Sequence, residues 1–145
     1  MSAADNKALV RRMLEEVLIG GRVELVDDFF APDFIQFGRR VGLGQFKGVV
    51  TAIHSAFPGW RGVIEHLVAE DDLVVCDMAV EGIQHGPFPF PGVGVLPPTG
   101  KSYAIRHCHW FRIADGKIAE HWGVRDDLGH LTQLGHLVLP TPPAT

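Results

Sequence analysis

Three histidines lie close together in the last third of the chain, at a spacing that can bring them onto one surface. His107 and His109 are two residues apart, and His121 follows the short polar segment Ala-Asp-Gly-Lys at 114–117. Imidazole titrates near neutral pH and is also a common metal ligand. The cluster could therefore carry acid/base or metal chemistry, and the first question is whether the three rings share a face.

Strand periodicity predicts which side chains share that face. The runs SYAIRHCHWFRI and IAEHWGV are rich in β-branched and aromatic residues and flank a tight turn, so we expect a β-hairpin. Successive residues of a strand point to opposite faces. One face of the first strand then carries two aromatic residues and two histidines: Tyr103, His107, His109 and Phe111. His121 and Gly123 share a face of the second strand, together with Ala119.

Three kinds of site are compatible with this cluster. The histidines could do general acid/base work on a carbonyl substrate. His-x-His on one strand with a third histidine on the next is also a spacing found in zinc sites. Finally, the rings could be the polar lining of a pocket that only binds a ligand. The residues alone leave these alternatives open.

Composition narrows the class of protein. The chain has 145 residues, of which 46% are hydrophobic and 21% charged, and its formal net charge is −4. These values are typical of one globular domain, and the scattered lysines and arginines argue against a nucleic-acid partner. No apolar run suggests a signal peptide or a membrane span, so we expect a cytoplasmic protein. Cys76 and Cys108 both lie in strand-like runs, which predicts buried free thiols.

The elements that must position the histidines begin with helices. An amphipathic helix is predicted to start at an Asp5 cap and to stop at Gly20-Gly21. Shorter segments follow: a helix at 23–30, a strand at 33–37, a helix at 44–57 and a β-hairpin of strands 61–70 and 73–84. Residues 125–135 could form a last helix.

The segment between the two predicted hairpins has a different composition. Five prolines lie between Pro87 and Pro98. Because each proline lacks an N–H donor, the segment cannot be a central strand or a helix, and we expect residues 84–99 to form a surface loop or lid. Helices followed by long antiparallel strands indicate an α+β fold. We predict one domain, 1–139, and a flexible Pro-rich tail, 140–145.

Several motifs together resemble a known family. The run FRIADGKIAEHWGVRDDLGHLTQLG, the segment FAPDFI and the segment PPTGK are similar to those of the SnoaL-like polyketide cyclases, within the nuclear transport factor 2-like superfamily. The resemblance extends to about Leu139. It implies a cone, in which a curved antiparallel or mixed β-sheet packs against N-terminal helices. It also implies cofactor-free aldol ring closure on aromatic polyketide esters, on a scaffold that hosts other activities as well.

The resemblance also implies an acid/base pair. The family's histidine before the aromatic–Arg pair matches His109, which then faces the interior of the cone with His107 and His121. The family's aspartate after the tryptophan corresponds to Gly123 here, a position where limonene-epoxide-hydrolase-like relatives also carry a catalytic aspartate. Asp126 matches a second acidic position. Asp126 and Asp127 could also cap the terminal helix; we favour the pocket for Asp126 and the cap for Asp127.

The resulting hypothesis is a cofactor-independent cyclase without a metal. His109 would be the general acid/base, His121 and His107 would polarise the substrate or relay protons, and Asp126 would support them. The predicted substrate contacts are Gln36, Trp60, His85, Tyr103, Phe111 and Gly123. The alternatives are a non-catalytic binding module and a relative of the epoxide-hydrolase or hydroxylase type.

The predicted partner is a small hydrophobic substrate. Trp110 and Trp122 fall on the face opposite the histidines, with Arg106 and Arg112. That face commonly forms a dimer contact in the superfamily, so a homo-oligomer, a dimer or tetramer, is expected. Packing of these aromatic rings against arginine side chains is an equally compatible interpretation, and Glu120 is expected to form a salt bridge there.

Overall fold

The computed structural model describes residues 1–141 and residue 144, and its helices and strands form one α+β arrangement. The helical elements are α1 (Ala3–Met13), its π-helical continuation (Leu14–Ile19), a 3-10 turn (Val23–Leu25), α2 (Val26–Phe29), α3 (Leu43–Ala56) and α4 (Asp127–Gln133). The strands are β1 (Phe30–Gln36), β2 (Arg39–Arg40), β3 (Arg61–Glu70), β4 (Leu73–Ile83), β5 (Phe88–Phe90), β6 (Gly94–Leu96), β7 (Ser102–Ala114) and β8 (Lys117–Arg125).

Six strands form one mixed sheet in the order β2-β1-β8-β7-β4-β3. All neighbours are antiparallel except β1 and β8, which are parallel. One face carries the core, and the long strand β7 shows the clearest alternation of buried and exposed residues. The predicted α+β class with a curved mixed sheet against N-terminal helices is confirmed.

The first helix packs through a single apolar face. Val10, Met13, Leu14 and Val17 are at most 1% exposed, and they lie at the i, i+3, i+4, i+7 spacing that an amphipathic helix requires. The predicted cap is wrong by one turn. Ser2 is the N-cap, and Asp5 is the third residue of the helix, where its carboxylate accepts from the backbone of Ser2. Ser-x-x-Asp therefore acts as a capping box, in which Ser2 and Asp5 cap each other's backbone N–H groups.

The end of β1 is held beside β8. A two-residue turn, Phe37 and Gly38, joins β1 to β2, and both residues have positive φ angles, 52° and 74°. This is the backbone that a tight hairpin with a matching twist needs. The parallel register pairs Gln36 with His121. The turn therefore fixes the position of Gln36 next to the histidine cluster.

The β7–β8 hairpin forms as predicted, with one irregularity near its turn. The register shifts between Arg112 and Ile113, which leaves Ala119 as an extra residue on β8. Simple alternation predicted Ala119 on the same face as His121. Because of the bulge, Ile118 takes that inward place instead and is fully buried.

The Pro-rich segment is more ordered than expected. It contains the small antiparallel hairpin β5–β6, separate from the main sheet, which we call the cover hairpin (88–96). Phe88 and Phe90 are 8% and 5% exposed, and they pack toward the interior. The prolines exclude this segment from the main sheet, but they do not prevent a short ribbon. Gln84 fixes its base by donating to the carbonyls of Gly86 and Leu96.

The two thiols lie in different environments. Both are free, and Cys76 is buried as predicted, whereas Cys108 is exposed because it falls on the outward positions of β7. No helix among the described residues is long and apolar enough to cross a membrane. The domain boundary at residue 139 stays a prediction, and residues 142, 143 and 145 of the predicted tail lie outside the described part.

Candidate active site

A cavity of about 510 Å³ lies between the inner face of the sheet, α3 and the cover hairpin. Most of its wall is apolar and includes Leu18, Phe46, Ile53, Phe57 and Phe90. Polar groups interrupt this wall mainly on the inner face of β7, β8 and the end of β1. A largely apolar cavity of this size, with a few convergent polar groups, has the usual make-up of a small-molecule site.

Four polar side chains on that wall form a continuous hydrogen-bonded line, which we call the imidazole chain. Gln36 Nε2 lies 3.0 Å from His121 Nδ1. His121 Nε2 lies 2.9 Å from His109 Nδ1, and His109 Nε2 lies 3.3 Å from His107 Nδ1. Nε2 of His107 has no hydrogen-bond partner within the described residues, so the line ends at the cavity with this one free ring nitrogen.

Burial keeps the imidazole chain uncharged at neutral pH. Desolvation lowers the pKa of His107 to about 3, that of His109 to about 4 and that of His121 to about 3. The guanidinium of Arg125 lowers these pKa values further, because it lies across from His107 in the β7–β8 ladder. All three rings are therefore neutral and available as hydrogen-bond donors or acceptors.

Gly123 leaves the space in which His109 sits. A Cβ atom at this position would be 2.6 Å from His109 Nδ1 and 3.3 Å from His121 Nε2. Real Cβ contacts do not approach this closely, so any larger residue would displace the His109–His121 pair. The absence of an aspartate at this position is thus coupled to the presence of the imidazole chain.

The roles predicted for Asp126 and Asp127 are exchanged in the structure. Asp126 is exposed and caps α4, where its Oδ1 accepts from the Gly129 backbone N–H at 2.9 Å. Asp127 lines the cavity and binds the Arg125 guanidinium at 3.0 Å. The helix begins at Asp127, one residue before the start that a cap at Asp127 would give. Its cap position therefore falls on Asp126, and the predicted pocket role of Asp126 is wrong.

The other predicted contacts divide into two groups. Gln36, Trp60, Tyr103, Phe111 and Gly123 line the cavity together with the three histidines. Trp60 Nε1 donates to the Tyr103 hydroxyl at 2.8 Å, which ties the start of β7 to the loop before β3. His85 is exposed and does not line the cavity. Its backbone N–H donates to the carbonyl of Ala56 at the end of α3.

His130 is a cavity residue that the sequence reasoning missed. It is 5% exposed and stacks on Tyr103, with ring centroids 3.9 Å apart. Its Nε2 is buried without a hydrogen-bond partner among the described residues, and burial lowers the pKa of this imidazole to about 4. The only sequence signal was a histidine within an otherwise unremarkable short helix. Arg125 was missed for the same reason: a single arginine at a strand end carries no pattern.

The three histidines of the imidazole chain form a line and do not converge on one point. Both ring nitrogens of His109 are hydrogen-bonded to the other two rings. The lone pairs of the three rings therefore do not point to one common position, as the ligands of a metal ion would. A different group, Glu65, His66 and Asp77, has ligand atoms within 4.8 Å of one another on the exposed sheet face. Arg106 already binds both of these carboxylates.

The opposite face of the hairpin carries the two tryptophans, as predicted. Trp110 and Trp122 stack with their ring planes 8° apart and centroids 6.2 Å apart. Glu120 accepts from the indole N–H of Trp122 and pairs with Arg112, so the expected salt bridge is present. We call this surface, Trp110 and Trp122 with Arg112 and Glu120, the outer aromatic face.

Comparison with known proteins adds an independent observation. The family model of SnoaL-like polyketide cyclases matches residues 8–134. The chain is 29% identical to nogalonic acid methyl ester cyclase from Streptomyces nogalater over 121 residues, which cover 79% of this chain and 87% of that protein.

Solved structures agree with this match. TsrD from Streptomyces laurentii has a TM-score of 0.81 and 26% identity, with 94% of this chain and 99% of TsrD covered. AclR, a candidate hydroxylase from Streptomyces galilaeus, has a TM-score of 0.78 and 25% identity, with 94% of this chain and all of AclR, 100%, covered.

Proposed function

The chain belongs to the SnoaL-like polyketide cyclase family, and on that premise we propose that it is a cofactor-independent enzyme that closes a ring in a hydrophobic, polyketide-like carbonyl compound. The reaction is an intramolecular aldol addition. A proton leaves a carbon next to a carbonyl group, the resulting enolate carbon bonds to a second carbonyl carbon, and the new alkoxide oxygen takes up a proton.

The observation that carries this proposal is the free Nε2 of His107 in a largely apolar cavity. A general base must come within hydrogen-bond reach of the proton that it removes. His109 and His121 have both ring nitrogens engaged within the imidazole chain. His107 is therefore the member that contacts substrate, and we assign it the catalytic role that the sequence analysis gave to His109.

The other two histidines act through His107. When His107 Nε2 takes a proton, its Nδ1 proton can pass to His109 Nε2, and the Nδ1 proton of His109 can pass to His121 Nε2. The positive charge is thereby spread away from the substrate. His109 and His121 are positioning residues in this scheme, as is Gln36 at the end of the line.

Arg125 compensates the charge that develops on the substrate. Its guanidinium lines the cavity and binds Asp127 side-on through Nε and Nη2. An enolate formed beside His107 would lie close to this cation. Proton transfer then produces an ion pair, which avoids the large cost of one isolated charge in a dry cavity.

The chemistry of the base also limits the substrate. An imidazole that burial makes weakly basic cannot remove a proton from an ordinary ketone at a useful rate. It can do so from a carbon between two carbonyl groups, whose conjugate base is far more stable. We therefore expect a β-dicarbonyl unit, such as a β-keto ester, attached to an apolar ring system that fills the remaining wall.

The test is incubation of the protein with nogalonic acid methyl ester, the compound after which the similar Streptomyces nogalater cyclase is named, without added metal or cofactor. An intramolecular aldol addition produces an isomer, so the product must have an unchanged mass and a new chromatographic retention. A product heavier by one oxygen would contradict cyclisation. Complete recovery of the starting ester, together with saturable binding, would support the non-catalytic binding module instead.

The hydroxylase alternative has one observation in its favour. AclR, named as a candidate hydroxylase, covers 94% of this chain at 25% identity. The added oxygen in the mass spectrum distinguishes this activity directly. Incubation under ¹⁸O-labelled dioxygen then shows whether the oxygen comes from dioxygen or from water.

Assembly is part of the same proposal. The outer aromatic face presents two stacked indoles and a charged pair on the sheet surface, which suits an interface between copies of this chain. We propose a homo-oligomer, a dimer or tetramer, formed through this face. The cytoplasmic location predicted from the sequence stays a prediction.

A further inference from the structure

We infer that Gln36 is a positioning residue that sets the direction of every hydrogen bond in the imidazole chain, and so decides whether His107 presents a proton or a lone pair to the cavity. A neutral imidazole has one N–H donor and one lone-pair acceptor. Each ring in the line must therefore receive a proton at one end and donate at the other. The direction at Gln36 fixes the direction at the remaining members.

In the observed arrangement the Gln36 amide nitrogen faces His121. An amide N–H₂ group can only donate, so His121 Nδ1 must accept, and its proton lies on Nε2. His121 Nε2–H then donates to His109 Nδ1, and His109 Nε2–H donates to His107 Nδ1. His107 is left with its proton on Nε2, facing the cavity as a hydrogen-bond donor.

Rotation of the Gln36 amide by half a turn reverses this order. Its Oε1, which has no hydrogen-bond partner among the described residues, would then accept from His121 Nδ1–H. Each ring moves its proton to Nδ1, and His107 Nε2 becomes a lone pair. Only this second state can take a proton from a substrate carbon.

The two states give the imidazole chain two functions, both at His107 Nε2. With the amide nitrogen toward His121, His107 can hold a substrate carbonyl oxygen by donation. With the amide oxygen toward His121, His107 can act as a base. The proton removed from the substrate carbon goes to His107 Nε2, and the successive shifts leave His121 with protons on both nitrogens and its Nδ1–H bonded to Gln36 Oε1. The catalytic consequence depends on the proposed function, but the coupling of tautomers does not.

The experiment therefore uses no substrate. Protein labelled with ¹⁵N in histidine is compared with Gln36→Glu by long-range ¹H–¹⁵N correlation, which identifies the protonated nitrogen of each ring. Spectra are recorded over a pH series and read where every ring carries one proton. The matched control is Gln45→Glu, which introduces the same charge on the cavity wall at a side chain that forms no hydrogen bond to a histidine among the described residues.

The decisive signal is His109, which does not touch Gln36. Wild type and Gln45→Glu should show His109 protonated on Nε2, whereas Gln36→Glu, whose carboxylate can only accept, should show it protonated on Nδ1. An unchanged His109 tautomer in Gln36→Glu overturns the inference. Inversion in both variants also overturns it, because the cause would then be the added charge and not the hydrogen-bond direction.

The wild-type spectrum provides a test that requires no variant. Along a continuous line the three rings must share one tautomer, and the structure predicts Nε2–H for His107, His109 and His121. Mixed tautomers among the three would contradict the inference even if Gln36→Glu failed to fold. Concordant tautomers together with failed cyclisation would leave the inference intact and reject only the proposed function.

Discussion

Gly123 and His109 depend on each other because their atoms compete for one volume. The ring of His109 occupies the position where a side chain on residue 123 would begin, at 2.6 Å from the ideal Cβ. Introducing an aspartate here would therefore displace the imidazole chain and not simply add an acid to it. Glycine at this position is therefore what leaves room for the His109–His121 pair.

We predict that Gly123→Ala destabilises the protein. One methyl group forced against His109 should cost about 1–3 kcal/mol, as overpacking usually does, and should separate His109 from His121. Urea unfolding gives the free energy, and the histidine ¹H–¹⁵N spectrum reports the pair. The control is Gly44→Ala in α3, where an added Cβ meets nothing within 4 Å. Stability equal to wild type with the pair intact in Gly123→Ala would contradict the steric account.

The buried histidines also predict how stability depends on pH. Burial lowers the pKa of His107 and His121 to about 3 and that of His109 and His130 to about 4. An unfolded histidine has a pKa near 6.5. Between pH 6.5 and about 4 the unfolded chain therefore binds more protons than the folded one, so the free energy of unfolding falls as the pH falls.

Each of these histidines should lower the free energy of unfolding by about 1.4 kcal/mol per pH unit of acidification in this range. Urea unfolding at pH 7, 6 and 5 measures the slope. His109→Gln should reduce it, whereas His85→Gln, a change at an exposed histidine, should leave it as in wild type. A stability that does not change from pH 7 to pH 5 would show that these rings are not held neutral by the fold.

At the scale of elements, sequence periodicity predicts the regular strands and helices well but predicts local irregularities such as bulges poorly. The β7–β8 hairpin, its turn and the face shared by His107 and His109 follow from alternation alone. The bulge that moves Ile118 inward depends on how two strands meet near the turn, and single-strand periodicity contains no such information. The cap position after β8 also depended on tertiary register, which made Asp126 the cap of α4 and Asp127 a residue of the cavity wall.

The imidazole chain itself was only partly predictable. Alternation brought the three histidines to one wall, but it could not show that their nitrogens form a line or that Gln36 completes it. That information comes from the parallel pairing of β1 with β8, two strands separated by most of the chain. Long-range pairing of this kind has no local sequence signal.

The cover hairpin gives the clearest prediction at this scale. Phe88 contributes a buried aromatic ring to the cavity wall, and such a ring stabilises by roughly 1.5–3 kcal/mol when buried. Phe88→Ala should weaken binding of an amphiphilic fluorescent probe of apolar sites, such as anilinonaphthalene sulfonate, by about tenfold or more.

The matched control is Val95→Ala on the same hairpin, because Val95 is 69% exposed and does not line the cavity. Titrations of both variants with the same probe measure the difference, and circular dichroism confirms that each is folded. Equal affinity in Phe88→Ala and Val95→Ala would show that the cover hairpin does not close the binding site.

At the scale of the whole molecule, the two faces of the β7–β8 hairpin carry different groups, to which we assign separate proposed roles. The inner face carries the imidazole chain and the outer aromatic face carries Trp110 and Trp122. Strand alternation separates them so completely that a substitution on one face need not affect the other. Assembly and chemistry can therefore be tested independently.

We predict that Trp110→Arg converts an oligomer into a monomer. A charge in place of one stacked indole would be buried without a partner in the interface, which is strongly unfavourable. Sedimentation velocity at micromolar concentration measures the change, with Val138→Arg, at a position that is 89% exposed, as control. A wild-type protein that sediments as a monomer would contradict the proposed interface and leave the cavity chemistry unaffected.

The central claim is that His107 exchanges a proton with a substrate carbon, and the most direct measurement is deuterium exchange. Nogalonic acid methyl ester is incubated in D₂O with wild type, His107→Gln and the exposed-site control His85→Gln, and loss of the proton next to the ester carbonyl is followed by NMR. The substrate proton should exchange rapidly in the presence of wild type or His85→Gln. With His107→Gln its exchange should be slower by about 10²–10⁴-fold, the usual contribution of a general base. Exchange at the wild-type rate in His107→Gln would contradict the account.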